Sequence, residues 1–333
     1  MRPNRNEREL DRRVERKTTA IMEILRDSDK PLGARLISRV LEQQGIELTE
    51  RAVRYHLLHM DDRGLTRISG GSGRVLTDKG RQEIGNALAV ERVGFVDSRI
   101  DSLAYQTTFD PALRQGLVVL NLSLIKSDEF ADARRAMRPV FKAGIGLSGL
   151  VLKASEGEQF GGITVPAGRT ALATVCSVTL NGILLRHGIP VESRFGGLLE
   201  MRDGKPTRFT DIISYAGSTL DPIEVFIKGR MTEVGKAAAT GDGKVCASFR
   251  EVPSASVPRI HELLEQMSKV GMDGMVLVGR PNQAFLEVPV ARGRTGVVVA
   301  GGLNPVAAVE EKGISTELKA MVTLADYSLL RPA

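Results

Sequence analysis

Apolar residues recur at helical spacing through the first 90 positions; beyond them, stretches of strand periodicity alternate with helical ones. Ala20, Ile21, Ile24 and Leu25 mark a helix over Val14–Asp27, which Asp29-Lys30-Pro31 ends. Leu36, Ile37, Val40 and Leu41 mark a second over Leu32–Gln44, stopped at Gly45. Thr49 is a good N-cap for a third, Glu50–Asp62, which closes at Gly64. Leu65–Thr77 then reads as two short strands around the Gly-rich tip Gly70–Gly73, and Asp78–Leu88 as a short fourth helix. Three helices followed by a β-hairpin predict a winged helix-turn-helix over 14–89, preceded by a flexible basic tail at 1–13.

The third helix has a definite phase. Val53, Leu57 and Met60 share the face that packs on the first two helices, which leaves Arg51, Arg54, Tyr55 and Leu58 outward. Guanidiniums and a phenol near a helix N-terminus suit phosphates and base edges in a major groove. Arg67 and Arg74 flank the wing tip, where they are placed to hold the adjacent DNA backbone. The expected DNA-binding set is therefore Thr49, Arg51, Arg54, Tyr55, Arg67 and Arg74. His56 and His59 read as helix-packing or solvent-facing residues.

From about Val90–Arg92 onward the chain repeats itself. Phe141–Lys153 resembles Ser268–Arg280, and Val165–Thr170 resembles Val290–Thr295. Leu180-Asn181 recurs as Leu303-Asn304, and His187-Gly-Ile189 as Lys312-Gly-Ile314. Each copy runs strand, helix, strand, Gly-Arg-Thr, buried strand and short helix, so 90–333 is expected to be one domain with two similar halves, about 115–195 and 240–327. The predicted fold class is α+β or α/β: a winged helix followed by an internally duplicated, mixed α/β regulatory domain. Arg169 pairs with Arg294 and Asn181 with Asn304 in this reading. An Arg at a strand entry and an Asn at a helix start can present donors to an anion, and equally suit a turn and a helix cap. Arg194-Phe-Gly196-Gly197 and Cys176-Ser177-Val-Thr179 add donors in the first copy alone, which makes that copy the expected ligand site.

Composition narrows the field. The 333 residues carry a net charge of +6. Residues 1–90 hold about 18 basic and 14 acidic side chains, so most of the excess lies with the winged helix. Aromatics are only 4% with no Trp, against a ring-stacking carbohydrate or base binder. No uninterrupted apolar run approaches the roughly 18 residues of a membrane span, and the N-terminus lacks a secretory core. Two distant cysteines and four histidines form no metal-type spacing, and no cofactor is expected. The expectation is a cytoplasmic protein. No G-x-S-x-G, P-loop or dinucleotide fingerprint is present; Gly144–Gly149 precedes a strand where a dinucleotide loop would open a helix. An enzyme is not expected. The alternative reading is an RNA-associated or enzymatic protein whose winged helix positions a small-molecule-processing α/β domain.

Several longer stretches are more specific: Arg92–Asp101, Tyr105–Asp110, Thr174–Gly182, His187–Gly197, Asp221-Pro222 and Gly301–Pro305. Together they resemble the NrpR regulators of nitrogen assimilation, best known from methanogenic archaea. The resemblance covers about 14–330 and includes a winged helix of the type found at the front of ribonuclease R. It implies a homodimeric or higher-oligomeric repressor on palindromic operators of double-stranded DNA, released when 2-oxoglutarate binds. Under it, the effector site would draw on Arg169, Cys176, Ser177, Thr179, Asn181, Arg194, Gly196 and Gly197. Better-known members can carry two regulatory domains; this chain carries one.

Overall fold

The computed structural model describes residues 17–333 except 19, 29, 44–45, 47, 70, 72, 85–94 and 161–162. The predicted tail at 1–13, the boundary at Val90–Arg92 and part of the wing tip lie outside the described residues. The chain divides into two compact units, 1–94 and 95–333.

The first unit runs α1 (20–26), α2 (Ala34–Gln43), α3 (Glu50–Asp62), β1 (Thr66–Ser69), β2 (Gly73–Leu76) and α4 (78–84). It is a winged helix. Ile21, Ile37, Leu41, Val53, Leu57, Met60, Leu65 and Ile84 are all buried in one cluster, as the helical phases require. Thr49 caps α3 by accepting the Ala52 N–H at 3.3 Å. The wing strands pair antiparallel from Thr66↔Leu76 to Ser69↔Gly73.

The second unit begins with α5 (Val96–Gln106) and holds two five-stranded sheets. Its first half contributes β3 (Leu117–Lys126), α6 (Phe130–Lys142), β4 (Leu150–Ala154), a small hairpin of β5 (Gln159–Phe160) and β6 (Ile163–Thr164), β7 (Arg169–Val175) and α7 (Val178–Arg186). A hairpin of β8 (Glu192–Arg202) and β9 (Lys205–Ser214) follows, then α8 (Pro222–Lys228) and α9 (Val234–Thr240). The second half contributes β10 (Gly243–Pro253), α10 (Val257–Ser268), β11 (Val276–Val278), β12 (Arg294–Ala300) and α11 (Asn304–Glu311), and ends in β13 (Glu317–Asp326) and β14 (Arg331–Pro332).

The sheet orders are β13-β3-β7-β4-β14 and β11-β12-β10-β8-β9. Each helix α6 and α10 leads to a strand that pairs with β7 or β12 and not with the strand before it, so the pairings are antiparallel. Of the two fold classes expected, the arrangement is α+β. Internal equivalence is visible in register: Leu120↔Val175 through Lys126↔Arg169 in one sheet matches Ala247↔Ala300 through Pro253↔Arg294 in the other. The halves also exchange strands. β8 comes after α7 of the first half but pairs with β10, and β13 lies at the end of the second half but pairs with β3. The sheets therefore cut across the sequence repeat and bind the two halves into one unit.

Candidate functional site

The loops that leave β7 and β12 meet where the two halves join. In the first half, Thr179 Oγ1 accepts the Val119 N–H at 3.0 Å. In the second, Asn304 accepts the Cys246 N–H through Oδ1 and donates to the Cys246 carbonyl through Nδ2, both at 2.9 Å. By strand register, then, Asn304 is the counterpart of Thr179. This corrects the pairing of Asn304 with Asn181, which the neighbouring leucines suggest. A Cβ on Gly302 would lie 2.1 Å from the Val175 carbonyl and 2.8 Å from Asn121, so only glycine allows the two loops this approach.

Between these loops lies a small cavity of about 20 Å3. Cys176, Ser177 and Asn121 come to it from the first half, Arg250 and Gly301-Gly302 from the second, and Tyr215 and Asp221 from the connection between them. Arg250 dominates it chemically. Its side chain is 2% exposed, its Nη2 donates to Ser177 Oγ at 3.0 Å, and its Nε and Nη1 have no partner. No carboxylate is ion-paired with it among the described residues. Burial pulls the guanidinium below its usual range. A buried cation with two unpartnered nitrogens is a costly feature unless an acceptor completes it. Ser123 occupies the register position in the first half that Arg250 holds in the second, so the duplication supplies one such cation and not two.

The remaining walls carry further polarity. Asp221 caps α8, accepting the Ile223 N–H at 2.9 Å and the Glu224 N–H at 3.3 Å. Burial, then the nearby Glu224, pushes its carboxyl up to about 6. Burial also pushes the Cys176 thiol up to about 11, which keeps it protonated and unreactive at neutral pH. Opposite Asn121, β13 bulges between Lys319 and Thr323, and Met321 sits in the left-handed region at φ 53. The bulge is held from three sides. Asn121 Oδ1 accepts the Met321 N–H at 3.1 Å, Glu224 accepts the Ala320 N–H, and Arg99 Nη2 donates to the carbonyls of Ala320 at 2.8 Å and Met321 at 3.1 Å. Arg99 belongs to α5, whose Ile100 lines the cavity. One helix thus touches the cavity and grips its strained wall.

Of the effector residues expected from sequence, Cys176 and Ser177 line this cavity, and Thr179 anchors the loop beneath it. The others are placed elsewhere. Arg169 stands at the far end of β7 from Cys176, about 20 Å along a strand of this length, and pairs with Glu317 at 2.9 Å. Arg194 pairs with the fully buried Glu251 and is not part of this cavity's lining. Asn181 donates to Ser193 Oγ at 2.9 Å outside the cavity lining. Gly196 and Gly197 serve packing: added Cβ atoms would meet Pro222 at 2.8 Å and the Asp211 carbonyl at 2.6 Å respectively. Arg250, Asp221 and Asn121 are missing from the expected set. The available signal was a lone arginine within the otherwise strand-like run Val245–Val252.

The winged helix presents its own candidate surface. Arg51, Arg54, Tyr55, Leu58 and Arg67 are exposed, Tyr55 at 70%, while His56 is buried in the helix packing. Arg54 pairs across one turn with Glu50 at 2.5 Å, an exposed contact of little energetic weight. Arg74 is a correction. It is buried, and its Nε is bound to Asp61 at 2.8 Å, while Asp61 also accepts the Thr66 hydroxyl. Arg74 therefore ties the wing to α3 and is not among the exposed residues of this surface. Arg74→Ala should destabilise the winged helix by about 3 kcal/mol, because it strands a half-buried carboxylate, and thermal unfolding of the variant measures this.

Among the described residues no group of His, Cys, Asp or Glu could hold a metal, and no helix is long and apolar enough to cross a membrane. Residues 93–332 match the family described as NrpR regulatory domains NRD1 and 2, and residues 19–84 match the ribonuclease R winged-helix domain. Over 322 residues the chain is 39% identical to the global nitrogen regulator NrpRI of Methanosarcina mazei, covering 97% of this chain and 99% of that protein. It is 30% identical to the global nitrogen regulator NrpR of Methanocaldococcus jannaschii, covering 93% of this chain but 54% of that one. A nitrogen repressor-like protein from Methanococcus jannaschii superposes with a TM-score of 0.60 at 29% identity, over 72% of this chain and 98% of the other.

Proposed function

The chain belongs to the NrpR family of nitrogen regulators, and from that premise we propose that it is a ligand-responsive repressor whose effector is a small dicarboxylate, 2-oxoglutarate, bound at Arg250. It is a regulator and not an enzyme. The observation that carries the ligand reading is the buried, incompletely bonded guanidinium of Arg250 in a cavity walled by both halves. Acceptor oxygens of the effector take the free Nε and Nη1 donors, which lie on different edges of the planar guanidinium. Ser177 and Asn121 are within the same lining for the second polar end.

At about 20 Å3 the cavity has room for roughly one water, so a dicarboxylate enters only if a wall moves. The wall under strain is the β13 bulge, and Arg99 connects it to α5. α5 is the first described element after the winged-helix unit in the chain, so a shift of α5 is the route by which effector reaches the DNA-binding part. Two winged helices in a homodimer would each read one half of a palindromic operator, and an effector that alters their spacing weakens DNA binding. Titrating the protein–operator complex with 2-oxoglutarate in a gel-shift assay is the direct test. Release of operator at increasing 2-oxoglutarate is expected; a complex indifferent to it would overturn the reading.

The protonation of Asp221 predicts a pH dependence. A carboxyl raised in the folded state holds its proton more tightly folded than unfolded, so its contribution to stability is present at acid pH and is lost as pH rises from about 4 towards about 6. Asp221 also shares the cavity with the anion, next to Arg250, Tyr215 and Cys176, with Glu224 and Arg99 close by. Effector binding should therefore weaken as pH rises from 5 to 7 in the wild type. Asp221→Asn keeps the helix cap and should flatten that dependence in calorimetric titrations.

A further inference from the structure

A second concavity, remote from Arg250 in its lining, lies between α6 and the edge of the first sheet. It encloses about 600 Å3, within the roughly 300–1,000 Å3 range of small-molecule sites. Its floor is apolar: Met137, Val151 and Leu172 are buried there, flanked by Phe130 and Phe141 from α6. Its rim is cationic. Arg134 and Arg138 project one helical turn apart, Lys153 rises from β4 with its Nζ 4.8 Å over the Phe130 ring, and Arg331 comes from β14. Among the described residues no Asp or Glu side chain lines it. Arg135, which also borders it, is taken by Asp132, whereas none of Arg134, Arg138, Lys153 and Arg331 has a carboxylate partner among the described residues.

We propose that this groove binds a nucleotide, with the ring system on the apolar floor and the phosphates against Arg134, Arg138 and Lys153. Four uncompensated cations ask for a multiply charged anion, and arginines one turn apart take neighbouring phosphates. The aromatic and aliphatic floor asks for a flat apolar body as well, which a bare phosphate or a small dicarboxylate lacks. An added peptide strand is disfavoured, because β14 already pairs with β4 along this edge through Arg331↔Val151 and Pro332↔Leu150. The inference is independent of the effector reading, since it shares no residue with the Arg250 cavity.

Isothermal titration of the full chain with ATP, adenosine and inorganic triphosphate tests it, alongside an Arg134→Ala/Arg138→Ala variant. Both arginines are exposed, so the variant should unfold at the wild-type temperature. ATP should bind at least tenfold more tightly than triphosphate, adenosine should bind weakest, and the variant should lose at least tenfold in ATP affinity while its 2-oxoglutarate titration stays as in wild type. The absence of ATP binding, equal affinities for ATP and triphosphate, or undiminished ATP binding in the variant would each overturn the proposal. So would an acidic, leucine-rich peptide that binds where ATP does not.

Discussion

Arg250→Met should abolish the response to 2-oxoglutarate and, in the same protein, raise thermal stability. The two effects have one cause. The buried guanidinium has two nitrogens without a partner, so it costs free energy that its bond to Ser177 offsets only in part. Methionine fills a similar volume with no charge, and replacing buried ionic groups by well-packed apolar ones stabilises by about 1–4 kcal/mol in favourable cases. The same change removes two charge-assisted hydrogen bonds to the effector, each contributing about 1.5–3 kcal/mol, so affinity should fall by roughly two orders of magnitude or more. Calorimetry measures both. A variant that is destabilised by several kcal/mol yet still releases operator on addition of 2-oxoglutarate would place the effector elsewhere. Arg250→Lys should sit between the two, since it keeps the charge and loses the planar fork.

Arg51→Ala combined with Arg54→Ala should weaken operator binding by about 100-fold or more without altering helix content. Neither side chain contributes to the core that Val53, Leu57 and Met60 form beneath α3. The Glu50–Arg54 pair is exposed and competes poorly with a phosphate or a guanine edge. A guanidinium on a base edge contributes about 1–3 kcal/mol of discrimination, whereas one on a phosphate lowers the salt slope by roughly 0.9. Fluorescence anisotropy across a salt series, on operator and on scrambled DNA, separates these roles. Equal loss on both DNAs with a reduced slope assigns phosphate contacts; loss confined to operator assigns base reading. Unchanged affinity at every salt concentration would remove this face of α3 from the interface.

The winged helix was legible because its information is local. Helix phase, the Thr49 cap and the Gly-rich turn all lie within a few residues of what they determine, and Val53, Leu57 and Met60 are buried where periodicity puts them. The role of Arg74 is not legible, for the opposite reason. Its partner Asp61 is 13 residues away and on another element, and nothing in the local pattern distinguishes a wing-tip arginine that reaches DNA from one that folds back. The candidate effector residues followed the same division. Cys176, Ser177 and Thr179 lie on the loop and helix start that close the first copy. Charge near a motif points to Arg169 and Arg194, whose partners Glu317 and Glu251 lie in distant segments.

The amino-acid sequence by itself determined the basic N-terminal module, the duplication behind it and the family. Each of these is carried by periodicity, spacing or long shared stretches within one segment. Only the tertiary structure decided where the buried cation sits and how the copies combine. Swapping β8 and β13 between the halves brings Ser177 of the first copy against Arg250 of the second, residues 73 positions apart. Burial then turns an ordinary strand arginine into a charge with no carboxylate partner among the described residues. The repeat shows that two halves exist, but the desolvation that makes one of their side chains a candidate site arises only when they pack.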